Sequence, residues 1–482
     1  MTLKKSVLLT LASLLPLVKT ETVLGLYVFS RHGDRTPKVL APANLTSLGA
    51  DEVHDSGSWY RSHYVASDSA TPIFGLSRDI AALTQIAVTA PVDNVLMNSA
   101  YAFLQGLYPP ALTATASTLA NGSSPEGPLG GYQYIPVNAV SAISGSSGTS
   151  ENSAWLQGSS GCANAVVSSN NYLVSSEYAT VYNQSQSFWT SLFPVINSTF
   201  TQAKDNFANA YTIFDYINVA TIHNQSIPSG DILTPSVINQ LQVYANIHEW
   251  NLAYNASDSV RAIQGATLAA QIIEALNATL TGNGTLPVNI QFGAYGSFSS
   301  FFGLAGLSTL NPDFEGIVDY GANMAFELVT NATVGNGSSY PTADDVSVRF
   351  LFSNRSAALS APVAYPLFGQ SKTLLSWADF TAGMNKFAIG NTASWCQACG
   401  NTTGVCASST SSSGNGSGSG SSSTGGSHLS LADAGVIGAF VTLAVILGVE
   451  GLLALILGLR VVKKSTPTAA GASNGASSGV KA

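Results

Sequence analysis

The order of apolar and polar positions divides the chain into short strands and longer helices. "VLGLYVF", "PVNIQFG" and "VSVRFLF" are brief runs of β-branched and aromatic residues, the pattern of strands. "PSVINQLQVYANIHEWNLAYN" and "SVRAIQGATLAAQIIEALNATL" carry apolar residues at helical spacing. Strands mixed with long helices predict an α/β architecture with a helical subdomain. No internal repeat of convincing period is present between Glu21 and Cys406.

Further segments lie outside this body. Lys4 and Lys5 precede an apolar stretch, residues 6–18, that is too short to span a bilayer comfortably and reads as a secretory signal cleaved near Thr20. An uncleaved anchor is the alternative. Residues 407–427 are nearly all Ser, Gly, Thr and Asn, which bury too little apolar area to offset the entropy of ordering, so a flexible stalk is expected. Residues 431–459 then supply an apolar stretch long enough to cross a ~30 Å hydrocarbon core as a helix. Arg460, Lys463 and Lys464 follow at once, and positive charge beside a span marks its cytoplasmic side. A removed lipid-anchor signal competes with this reading, but such signals end at the apolar tail, whereas this chain continues to Ala482. Within the span, Glu450 costs roughly 2.5 to 3.5 kcal/mol, which the surrounding Leu, Ile and Val residues offset. It is either protonated or snorkelling, or it meets a partner in the membrane. The expected division is a signal peptide (1–20), an ectodomain (21–406), a stalk (407–430), a transmembrane helix (431–459) and a cytoplasmic tail (460–482), in single-pass type I orientation.

Composition narrows the function. Only 9% of the 482 residues are charged and the net charge is −8, so no basic surface large enough for nucleic acid is available. Asn-x-Ser/Thr triplets recur from Asn44 to Asn415, the pattern of a chain carrying N-glycans. These features suit a plasma membrane facing a wall or external medium, and a vacuolar membrane equally. The cysteines Cys162, Cys396, Cys399 and Cys406 should pair in an oxidising compartment, with three connectivities open. "WCQACGNTTGVC" then reads as a disulfide-closed end to the domain. A zinc or thioredoxin-like role for its Cys-x-x-Cys is the sharper alternative, without a second ligand pair or a preceding strand to support it.

The densest chemistry lies in "LYVFSRHGDRTPK", residues 26–38. With the first strand ending near Phe29, Arg31, His32 and Arg35 fall on the loop at its carboxyl end, where α/β sheets bind ligands. Two guanidiniums there suit a phosphate dianion, and an imidazole between them is a competent nucleophile toward phosphorus. A solvated surface turn is the bland alternative, since arginines beside Gly and Pro are ordinary.

"RHGDRTP" resembles the Arg-His-Gly-x-Arg-x-Pro signature of the histidine acid phosphatases, the phytase and acid phosphatase group of the histidine phosphatase superfamily. "LTSLGADEVHDSGSWYRSHYV", "SAYAFLQGLYPP" and "QFGAYGSFSSFFGLAGL" are similar to further segments of that family. The resemblance implies a phosphoglycerate mutase-like α/β domain with a helical subdomain. It also implies a phosphohistidine on His32, a phosphomonoester or phosphate ligand gripped by Arg31 and Arg35, and no metal or other cofactor. Two departures stand out. The position of the family's third arginine reads Asn94 or a close neighbour, and its His-Asp pair reads Tyr295-Gly296. Asn94 retains an amide for a phosphate oxygen and Tyr295 a hydroxyl, while Gly296 offers no side chain. The literal His54-Asp55 pair falls too early, on a helix that is not catalytic in the family. His63, His223, His248 and His428 read as surface, core or juxtamembrane residues. Two functions follow: a phosphomonoesterase with impaired activity, or an inactive relative that binds phosphate or phosphoesters or serves as a surface interaction protein.

Overall fold

A computed structural model describes residues 21–111, 117–141, 161–223, 227, 232–335 and 337–407. The expected signal peptide, transmembrane helix and cytoplasmic tail, and the stalk beyond residue 407, lie outside the described residues. Among the described residues no helix is long and apolar enough to cross a membrane.

An eight-stranded mixed sheet forms the centre. Its strands are β1 (Thr22–Arg31), β2 (Ile86–Pro91), β3 (Asn138–Val140), β4 (Val288–Gly293), β5 (Asn323–Thr330), β6 (Val346–Ser353), β7 (Val363–Ala364) and β8 (Leu374–Ser376). The order is β3-β2-β4-β1-β5-β6-β7, with β8 also on β6. β1 runs parallel to β4 and antiparallel to β5, so it is an interior strand. That explains its nearly unbroken apolar sequence. The three strands predicted from apolar runs are β1, β4 and β6; β1 continues two residues past Phe29, so Arg31 is its last residue and His32 the first beyond it.

Alternate side chains of β1 feed two cores. Leu24, Tyr27 and Phe29 pack with α8 (Ile263–Thr281), α9 (Tyr295–Leu304) and α10 (Trp377–Met384). Val23, Leu26 and Val28 pack with α1 (Ser47–Tyr60) and α2 (Asn94–Leu107) on the other face. The predicted helical subdomain is present between β3 and β4. It comprises α3 (Ala163–Leu173), α4 (Ser176–Gln184), α5 (Gln186–Ile196), α6 (Ala210–His223) and α7 (Pro235–Ala253). Trp189, Phe207, Ile213, Ile217 and Leu241 lie at the centre of its own apolar cluster.

The cysteines pair as Cys162–Cys399 and Cys396–Cys406. The second bond closes the terminal segment around α11 (Thr392–Cys399), and the first ties that helix to the start of α3. Cys396 and Cys399 therefore belong to different disulfides, which sets aside a redox-active or zinc-binding Cys-x-x-Cys.

Candidate active site

The motif loop is fixed from both sides by backbone. Arg31 N–H donates to the Ala322 carbonyl at 2.8 Å, and Gly321 N–H donates to the His32 carbonyl at 2.9 Å. On the α1 side the approach is closer still. A Cβ at Gly33 would lie 2.0 Å from the Gly49 carbonyl oxygen, and one at Gly49 would lie 2.0 Å from that of Asp34. Only glycine fits at either position. Thr46 completes the joint: its hydroxyl caps α1 at Gly49 N and donates to Asp34 Oδ2 at 2.5 Å.

His32 is buried, 2% exposed. Its Nδ1 lies 2.8 Å from the Gly33 carbonyl, which only accepts, so Nδ1 carries the proton and Nε2 the lone pair. Burial first, then the charges of Arg31 and Arg35, pushes its pKa well below the ordinary imidazole value. A neutral imidazole with a free Nε2 is the form a nucleophile needs.

The arginines are differently placed. Arg35 is wholly buried, and both of its terminal nitrogens meet Asp215 of α6, Nη2 to Oδ1 at 2.6 Å and Nη1 to Oδ2 at 3.1 Å. Nη1 also donates to the Thr36 carbonyl at 3.0 Å, and Nη2 to the Tyr211 hydroxyl at 3.3 Å. Burial alone would loosen its proton, but the Tyr320 and Tyr211 hydroxyls and the Asp215 carboxylate raise its pKa on balance, so it stays charged. Asp215 itself, 3% exposed, accepts in addition from Lys38 N–H at 2.9 Å and the Tyr320 hydroxyl at 3.4 Å. This is a forked, charge-assisted pair, the geometry in which a guanidinium holds a phosphate, with a carboxylate of the same chain in the anion's place. Arg31 donates through Nη1 to the Val318 carbonyl. Its guanidinium lies 4.6 Å from the Tyr320 ring centroid and 5.4 Å from that of Tyr295. Both arginines keep a buried Nε–H without a partner.

The residues read as possible replacements, Asn94, Tyr295 and Gly296, lie at the starts of two helices. Asn94 is exposed at the first position of α2, where Asp93 rather than Asn94 caps the helix. The β1–β4 register pairs Arg31 with Gly293, so the residue stepping past β4 beside His32 is Ala294, a methyl group. Tyr295 comes next, as the first residue of α9. Its hydroxyl donates to Glu249 Oε2 at 2.6 Å, and Glu249 Oε1 accepts from His248 Nδ1 at 2.7 Å. Burial and the Glu249 charge raise the Tyr295 pKa well above the phenol range, so it holds its proton. Gly296 faces the Gln264 side chain.

A cavity of about 240 Å³ opens beside Arg31, lined also by Glu52, Asp215, Asp319, Tyr320 and Arg355. Burial raises the pKa of both Glu52 and Asp319. His32 is not among its lining residues; Tyr320, which is, stands next to the imidazole with ring centroids 5.5 Å apart. Sequence reasoning missed Asp215, Tyr211 and Tyr320, and read His223 as bland. His223 is a satisfied histidine as read: it donates through Nε2 to Asp34 Oδ2 at 2.5 Å, joining α6 to the motif loop. His54–Asp55 is an exposed contact at 3.3 Å on α1, and exposed His63 stacks on Trp59.

A buried, neutral histidine thus stands between two arginines at the carboxyl end of a central strand of an α/β fold. The chain belongs to the histidine phosphatase superfamily, branch 2, whose family model matches residues 39–353. That span begins just past the motif. Among solved structures, the phytase from D. castellii is similar at 16% identity and a TM-score of 0.50, with 79% of this chain and 82% of that one covered. The phytase of Klebsiella sp ASR1 matches at 10% identity and a TM-score of 0.50, covering 78% of this chain and 99% of that one. At such identities the likeness is one of fold. Comparison with curated proteins finds no match.

Proposed function

We propose that this chain is a non-hydrolytic member of the acid phosphatase group, a glycosylated surface protein carried on the 431–459 span with residues 21–406 outward. The observation that carries the reading is the two-pronged contact of Asp215 with Arg35. A phosphate dianion seeking that guanidinium must displace a carboxylate and leave it buried without a counter-charge, a penalty of about 3–5 kcal/mol. Further losses compound it. A missing general acid forfeits roughly 10²–10⁴ in rate, and a missing charge stabiliser about 10²–10³. Ala294 supplies neither, and the Tyr295 hydroxyl spends its hydrogen bond on Glu249.

A second reading, slow phosphomonoester hydrolysis, is favoured by the neutral, Nδ1-protonated form of His32. In it Nε2 attacks phosphorus, the bond to the ester oxygen breaks, and water takes the phosphoryl group from the imidazole as inorganic phosphate. Without an acid the leaving group departs as an oxyanion, so only aryl esters would turn over. Assay of the full chain on an aryl and an alkyl phosphate, beside His32→Ala, separates the two. No His32-dependent turnover of either ester is expected. Aryl-ester turnover that vanishes in His32→Ala would replace the first reading with the second.

A further inference from the structure

Away from His32, α7 aligns Gln242, Asn246 and Trp250 at four-residue intervals along a cavity of about 650 Å³. Glu177 of α4 and Asp313 of the turn Pro312–Glu315 line it as well. Its volume lies in the ~300–1,000 Å³ range of small-molecule sites. A second cavity, about 360 Å³, shares Glu177, Trp250 and Asn251 with the first and continues to Tyr172 and Tyr254. The Trp250 and Tyr254 rings are 5.3 Å apart, so aromatic surface runs along a joined groove. Within it the Tyr172 hydroxyl, on a residue 3% exposed, adjoins Asn251 without a well-formed hydrogen bond.

Charge and hydrogen-bonding capacity select the ligand. No Lys or Arg lines the larger cavity, so the only charged side chains an anion meets there are carboxylates; Arg261, which lines the smaller one, is engaged with Ser168 and the Asn251 carbonyl. Of its three carboxylates, Glu177, Asp313 and Glu315, two are engaged: Glu177 acts on the Arg261 guanidinium, and Asp313 accepts from the Asn311 amide at 3.1 Å; among the described residues no cluster fit to hold a metal ion is present. Carboxylates that accept from adjacent hydroxyls, amides that both donate and accept, and aromatic faces that cover an apolar ring surface suit a polyhydroxylated ring. We propose that this groove binds a neutral oligosaccharide, with a sugar ring on Trp250 and its hydroxyls bonded by Glu177, Gln242 and Asn251. Asn354 and Asn255, both in Asn-x-Ser triplets, line the two cavities, so a glycan of the chain itself is one source of that ligand. The proposal goes beyond the reading of His32 and does not depend on it.

Titration calorimetry of the full chain, in a detergent without a sugar headgroup, tests it with mannotetraose, laminaritetraose and chitotetraose, before and after enzymatic removal of N-glycans. Saturable binding of at least one tetraose is expected, weakened about tenfold in Trp250→Leu and about threefold in Glu177→Gln. Glu177 is exposed, so its variant keeps the fold if the tryptophan variant does not. Binding that appears only after glycan removal also supports the groove, its occupant then being the chain's own glycan. Absence of saturable binding in both forms overturns the proposal. So does binding undiminished in both variants, or tighter binding of spermidine than of any tetraose.

Discussion

Of the motif residues, only Arg31, His32 and Arg35 could be read as chemistry from their spacing, and their identities say nothing of their partners. Asp215 is 180 residues from Arg35 in the chain. The one available signal was an aspartate within the apolar stretch "AYTIFDYINVATIH", where an unpaired carboxylate would be costly. Tyr295 was legible as a substitution that keeps a hydroxyl donor, but its acceptor was not, because Glu249 comes from a different helix. The buried state of His32 has a consequence for stability. Its folded pKa lies below the ordinary value, so as pH falls through about 6.5 the unfolded chain takes up a proton that the native chain refuses. Stability contributed by neutral His32 is therefore complete above that pH and lost below it, at up to ~1.4 kcal/mol per pH unit. Chemical denaturation of His32→Asn should show the loss between pH 6.5 and pH 5 reduced by about 1.5 kcal/mol relative to wild type. An unchanged slope would mean that His32 takes up a proton in the native fold as readily as in the unfolded chain.

Elements were more legible than contacts. The long helix pattern over 235–255 corresponds to α7, and the pattern over 259–280 to a short 3₁₀ turn, Ser259–Ala262, leading into α8. What periodicity cannot convey is how closely two elements approach. "LTSLG" opens one of the segments similar to the family, and its Thr46 caps the start of α1. Its glycine, however, exists for the motif loop, since the Asp34 carbonyl sits where a methyl group would be. Gly49→Ala must force α1 and the loop apart. A loss of about 3 kcal/mol or more is expected, the scale of severe overpacking. Thermal unfolding within about 0.5 kcal/mol of wild type would show that the joint gives way freely, and that the loop is not held by α1.

At the scale of the molecule, the sequence indicated a helical subdomain on an α/β core but left three disulfide connectivities open, because spacing does not determine which ends meet. Cys162–Cys399 closes a loop of 237 residues and Cys396–Cys406 one of 10. In the chain-entropy model the long loop is worth about 5–6 kcal/mol and the short one roughly half of that. Cys162→Ala/Cys399→Ala should accordingly lower the melting temperature more than Cys396→Ala/Cys406→Ala does, and the reverse order would point to a different pairing. The same subdomain reaches Arg35 of the motif through α6, whose Asp215 occupies both of its terminal nitrogens, the closure on which the proposed function rests. Inorganic phosphate tests that closure most directly, by its effect on the melting temperature of the full chain and of Asp215→Asn. Millimolar phosphate should leave the wild type unmoved and raise the melting temperature of Asp215→Asn, whose Arg35 has lost its carboxylate. Protection of the wild type by phosphate, abolished in Arg31→Ala, would show an open grip and contradict the account.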